Sequence, residues 1–133
     1  NGGRCVDEGA IIVKFAQALI GLPAEGYPAA AAACEAAGFS AVSLSDHVVS
    51  PEIIQSKYPY THDGKPQYDT NWDFPDTWVA VGAMSSVTTT LEFFTNVFVL
   101  PARNPILAAK AIGTASAMSG GRVSLGVGAG WMK

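Results

Sequence analysis

The chain is short of charge. Only 14% of its 133 residues are Asp, Glu, Lys or Arg, against 49% hydrophobic. A free-standing soluble domain carries about a quarter charged residues, so this composition is that of buried sheet and predicts a piece of something larger. The eight basic residues are scattered and the net charge is −3, which leaves no electrostatic footprint for nucleic acid. Cys5 and Cys34 are too few for a disulfide framework and lack metal-ligand spacing. They read as free thiols of a reducing cytoplasm, and no metal site is predicted. No apolar run approaches the ~20 residues that a membrane span needs. The opening Asn1-Gly2-Gly3-Arg4, with Asp7-Glu8 ahead of the first apolar run, does not read as a signal peptide.

What is present alternates strand and helix. Residues 11–19 start with β-branched side chains and read as a first strand, ended by Gly21 and Pro23. Residues 27–37 read as a helix: Pro28 suits a first turn, the alanines are the strongest helix formers, and Gly38 is placed for a C-terminal cap. A second strand follows over 41–45. Residues 48–75, with four prolines, form a connection long enough to be functional or disordered. Asp76 predicts an N-cap for a helix over 77–87. Residues 91–100, rich in Phe, Val and Thr, are the third strand. Asn104-Pro105 opens a helix to about Met118, stopped by Ser119-Gly120-Gly121, and residues 123–127 are the fourth strand.

A β-α-β-α-β-α-β order builds a parallel sheet with right-handed crossovers. An open doubly wound sheet and half of an eight-stranded barrel both satisfy it. Helices on one face alone would leave the other face and an edge of four strands bare; closure into a barrel of about 250 residues removes both. The expected fold is therefore α/β, the N-terminal half of a (β/α)8 TIM barrel cut at Lys133. Residues 11–133 form that partial domain, and residues 1–10 are unassigned.

Ser45-Asp46-His47 closes the run Ala41-Val42-Ser43-Leu44 at the carboxyl end of a strand, where barrel chemistry sits. Histidine is the usual proton donor or acceptor near neutral pH. Asp46 could fix its tautomer, but adjacent strand residues point to opposite faces; one of the pair then faces a cofactor while the other holds the loop. The bland alternative is a histidine that merely caps the strand. His62, beside the turn dipeptide Asp63-Gly64, reads as solvated. Gly126, Gly128 and Gly130 strip side chains from one strand face, which admits a flat ring or a phosphate. A tight barrel corner explains them equally, and a dinucleotide-binding turn explains them poorly because the spacing is wrong. Tyr58, Tyr60, Tyr68, Trp72 and Phe74 suit a cover that excludes water, or anchors that hold the loop on the outer helices. Trp131 carries the same two readings.

These residues carry a resemblance. Glu35-Ala36-Ala37-Gly38-Phe39, Val42 to Val49 around Ser45-Asp46-His47, and Tyr58-Pro59-Tyr60-Thr61 with Asp63-Gly64-Lys65 are its first half. Thr95-Asn96-Val97, Leu100-Pro101-Ala102-Arg103-Asn104-Pro105, Ser119-Gly120-Gly121-Arg122-Val123 and Gly126 to Trp131 complete it. In order and spacing the set resembles the luciferase-like flavin and deazaflavin oxidoreductases, within them the coenzyme F420-dependent branch. The resemblance implies a cofactor ring at the carboxyl ends of the barrel strands, with Asp46 and His47 beside it and His47 in proton transfer. It implies a non-prolyl cis peptide at Asn96-Val97 propping the ring, and a Gly128-Ala129-Gly130 backbone lining the ring or its side chain. Residues 1–10 match nothing in the family, and Gln17-Ala18 stand where many relatives have Gly or Ser.

Three functions follow as expectations. The first is hydride transfer between coenzyme F420 and a small organic substrate, with His47 moving the accompanying proton. The second is an FMN-dependent monooxygenase on the same fold. The third is a non-catalytic or truncated barrel, and the 133 residues alone are expected to be inactive. Neither nucleic acid nor membrane is an expected partner. A homodimer is common in the family, and the apolar helix over 77–87 could serve it.

Overall fold

The computed structural model describes residues 13–132. Residues 1–10 with Cys5, the start of the first predicted strand at Ile11 and Ile12, and Lys133 lie outside the described residues. Within that span the elements are β1 (Ala16–Leu19), α1 (Tyr27–Ala36), β2 (Ala41–Leu44), α2 (Thr77–Ser85), β3 (Glu92–Thr95), β4 (Phe98–Val99), α3 (Pro105–Ser119), β5 (Val123–Ser124) and β6 (Val127–Gly128).

The helix ends obey local chemistry. Asp76 accepts from the amides of Trp78 and Val79, and Asn104 from those of Ile106 and Leu107, so each helix has its first orphan donors satisfied. Gly38 closes α1 at φ +86°, where its amide and that of Phe39 reach back to Glu35 and Cys34. Gly120 does the same for α3 at φ +68°. Both positions favour a residue without a Cβ.

The main sheet is parallel, in the order β1-β2-β3-β5. Its register pairs Leu19 with Leu44, Leu44 with Thr95, and Phe94 with Ser124. Leu19, Val42, Leu44, Leu91 and Phe93 pack with Tyr27, Ala31, Trp78, Val81 and Met84 of the helices, and this is the core. Burying side chains of this size contributes about 1.5–3 kcal/mol each before entropy is charged. On the opposite face Ala16, Ala18, Glu92 and Ser124 are exposed and Phe94 is half-buried, while Ala41 and Ser43 of the central β2 are buried. Helices therefore cover one face only, as half a barrel requires.

The sequence predicts unbroken strands over 91–100 and 123–127; both divide. The Oγ1 of Thr95 accepts from the Gly126 amide at 2.9 Å and donates to the Gly126 carbonyl at 2.7 Å. A side chain thus replaces a backbone rung. Beyond it the chain leaves the main sheet, and Phe98–Val99 pairs in parallel with Val127–Gly128 as a separate ribbon. The first strand also begins later than expected, at Ala16.

Candidate active site at the carboxyl rim

Parallel pairing places the ends of β2, β3 and β5 on one rim. The Asn96 amide donates to the Leu44 carbonyl at 2.8 Å, so Asn96-Val97 leaves β3 beside Ser45-Asp46-His47 leaving β2. The Asn96–Val97 peptide bond is cis, and Val97 is 40% exposed. Asn96 is exposed as well. The two residues form a ledge facing solvent. The Phe98 amide donates to the Gly126 carbonyl at 2.7 Å, which brings the glycine segment alongside.

Asp46 and His47 are neighbours in sequence but not partners. Asp46 is buried, and its carboxylate faces α3's entry. Arg103 donates from Nη2 to Oδ1 at 2.6 Å and from Nη1 to Oδ2 at 2.7 Å, and the Val99 amide adds 2.8 Å to Oδ2. The Arg103 guanidinium also lies over the Phe98 ring, 4.3 Å from its centroid. A planar fork matches a carboxylate and an aromatic face together, which a lysine does not.

His47 turns instead to the long loop. Its ring centroid is 4.5 Å from that of Tyr68 and 4.3 Å from that of Phe74, both tilted. Burial among these rings pushes the imidazole below its ordinary 6.5, and the nearby Asp46 charge opposes this more weakly. The shift favours the neutral imidazole, the form that accepts a proton.

The loop itself is tethered. The Ala24 amide donates to Asp73 at 2.9 Å, and Trp72 lies against Gly21, where an added Cβ would sit 3.2 Å from the indole. Tyr58 meets Trp131 edge-on at 4.9 Å. The aromatics divide between the two roles expected of them: Trp72 anchors, while Tyr68 and Phe74 shield His47. His62 is exposed, as a turn histidine should be.

The glycines answer to packing. A Cβ on Gly126 would meet the Thr95 carbonyl, one on Gly128 the Val97 side chain, and one on Gly130 would come 3.0 Å from Val99 Cγ1. The space freed at Gly126 and Gly128 is filled by the neighbouring strand, which is the barrel-corner explanation rather than room for a ring. Ala129 and Gly130 lie beyond β6 and are exposed. Arg103 went unassigned in the sequence although it stands directly before the Asn104 cap. No local signal marks it, because its partner Asp46 lies 57 residues away.

The chain belongs to the luciferase-like monooxygenase family, whose model matches residues 17–133. An uncharacterized protein of Mycobacterium tuberculosis is 44% identical over 98 residues, covering 74% of this chain and 34% of that protein. Among solved structures, the fold is similar to the oxygenating constituent of 3,6-diketocamphane monooxygenase from Pseudomonas putida, solved in complex with FMN. There the TM-score is 0.65 at 18% identity, covering 90% of this chain and 30% of that one. It is also similar to the coenzyme F420 dependent tetrahydromethanopterin reductase of Methanopyrus kandleri, with a TM-score of 0.63 at 17% identity, covering 90% of this chain and 28% of that one. The chain spans about a third of the length of the curated relatives it matches. Its α/β fold with a parallel sheet is that of the luciferase-like TIM barrels. Among the described residues no helix is long and apolar enough to cross a membrane.

Proposed function

We propose that the protein is a coenzyme F420-dependent oxidoreductase that moves a hydride between the deazaflavin and a small organic substrate, with residues 11–133 as the N-terminal part of its barrel. The observation that carries the reading is a half-buried His47, packed against Tyr68 and Phe74, on the same rim as the exposed Asn96–Val97 ledge. The residues fit a planar redox ring: Val97 offers apolar surface, Asn96 an exposed amide, and the rings over His47 keep water from one side of it. Asn96 and Val97, with the exposed backbone of Ala129 and Gly130 beyond β6, would hold the cofactor; Gly128 is taken up by Val97. When bound, a deazaflavin supplies hydride donation or acceptance, two electrons at a time. The unprotonated ring nitrogen of His47 takes up the substrate proton released in oxidation, or returns it in reduction. Asp46, with both oxygens engaged by Arg103 and Val99, does not move a proton.

An FMN-dependent monooxygenase is the second reading, favoured by the likeness to the FMN-bound camphane enzyme. Titrating the purified full-length protein with each cofactor, and reading absorbance after desalting, separates them. Deazaflavin absorbance that stays with the protein supports the proposal. Retained FMN with no deazaflavin affinity overturns it, and retention of neither points to a non-catalytic barrel.

A further inference from the structure

We propose that Arg103 is a positioning residue of this site: its fork holds both oxygens of Asp46 away from the His47 imidazole and ties the Asn96–Val97 ledge to the end of β2. The inference rests on the reading of His47 as the group that moves the proton.

An aspartate that orients a catalytic histidine offers a carboxylate oxygen to an imidazole N–H. Here both oxygens are turned to Arg103 and Val99 instead. Oδ1 takes Arg103 Nη2, and Oδ2 takes Arg103 Nη1 and the Val99 amide. The side chains of Asp46 and Arg103 are 2% and 18% exposed, so the pair is nearly dry and its charges cancel locally. Arg103 Nη1 also reaches the Val99 carbonyl at 3.3 Å, and the Arg103 amide reaches that of Leu100 at 3.1 Å. The segment that carries the ledge is held at both ends, Asn96 by Leu44 and Val99 by Asp46, and Arg103 fixes the Asp46 carboxylate that makes the second bond. The titratable groups facing His47 are Asp46 from β2's end and the Tyr68 phenol from the loop; Phe74 is apolar. With Arg103 in place, the guanidinium offsets the negative charge nearest the imidazole and leaves it only a weaker pull on the ring's proton. Without it, an unpaired carboxylate would sit beside the ring and draw a proton onto it.

The test is the titration of the His47 imidazole by NMR in the full-length protein, with cofactor binding followed in parallel by ring fluorescence. Arg103→Gln is expected to raise the His47 midpoint by about one pH unit, while the Asn96–Leu44 and Val99–Asp46 bonds keep the ledge in place and cofactor binding changes little. The double variant Asp46→Asn/Arg103→Gln, which leaves no charge, is expected to bring the midpoint back to the wild-type value or below. A purely structural arginine would move neither midpoint, or both alike, and that result overturns the inference. Should Arg103→Gln fail to fold, Arg103→Lys is read the same way: a smaller rise sustains the inference and no rise overturns it. These midpoints are measured without turnover, so loss of the proton-transfer role for His47 would show separately, as unchanged turnover in His47→Ala.

Discussion

The His47 ring meets the Phe74 ring at 4.3 Å, and these two residues lie at opposite ends of the long connection between β2 and α2. The loop leaves the rim at His47 and returns to cover it. Replacing His47 with Ala is expected to lower turnover by about 10²–10⁴-fold with little change in cofactor affinity. Steady-state kinetics beside a cofactor titration measures both.

The same contact sets a pH dependence. Burial holds the folded His47 below its ordinary 6.5, so the acid limb of kcat/KM is expected to fall below pH 6.5. Phe74→Leu opens the ring to water and should carry that limb upward, toward 6.5. The pH–rate profiles of the two proteins are the measurement, and coincident limbs would count against the assignment.

Glu35 binds the other end of the fold. Its carboxylate accepts from the amides of Thr90 at 2.6 Å, Leu91 at 2.9 Å and Thr89 at 2.9 Å, with the Thr90 hydroxyl also at 2.9 Å. These bonds, that of Thr90 foremost, lower its pKa from 4.5 to about 2. The folded value lies below the unfolded one, so the unfolded chain binds more protons in between. Stability from this group is then complete above 4.5 and is lost as pH falls toward about 2. Denaturant melts across that window should show a pH slope that Glu35→Gln reduces.

Gly128→Ala drives a methyl group into the Val97 side chain. Overpacking of this kind costs about 1–3 kcal/mol. The loss should be smaller when Val97→Ala is combined with it, because the clashing atoms are gone. Chemical denaturation of the single and double variants gives the coupling directly.

Much of this protein was legible without coordinates where the physics is local. Asp76 and Asn104 cap because each side chain reaches amides two and three residues on, and Gly38 and Gly120 end helices because of their own φ. The alternation of strand and helix and the placing of Ser45-Asp46-His47 at a strand end came through on the same terms, whereas the cis bond at Asn96-Val97 was implied by the family resemblance alone. The tertiary structure decided the rest, because a side chain's role depends on a partner far along the chain. That Asp46 and His47 face different ways follows from strand geometry, but that Arg103, 57 residues away, takes the carboxylate does not. Two strands read as continuous until Thr95 met Gly126, 31 residues on, and substituted its hydroxyl for a backbone rung. Gly128 suits a ring or a barrel corner equally in the sequence, and Val97, by filling the space, decides for the corner. Periodicity and capping record what neighbours do to one another; only packing records which distant group arrives to satisfy a buried charge or fill a space.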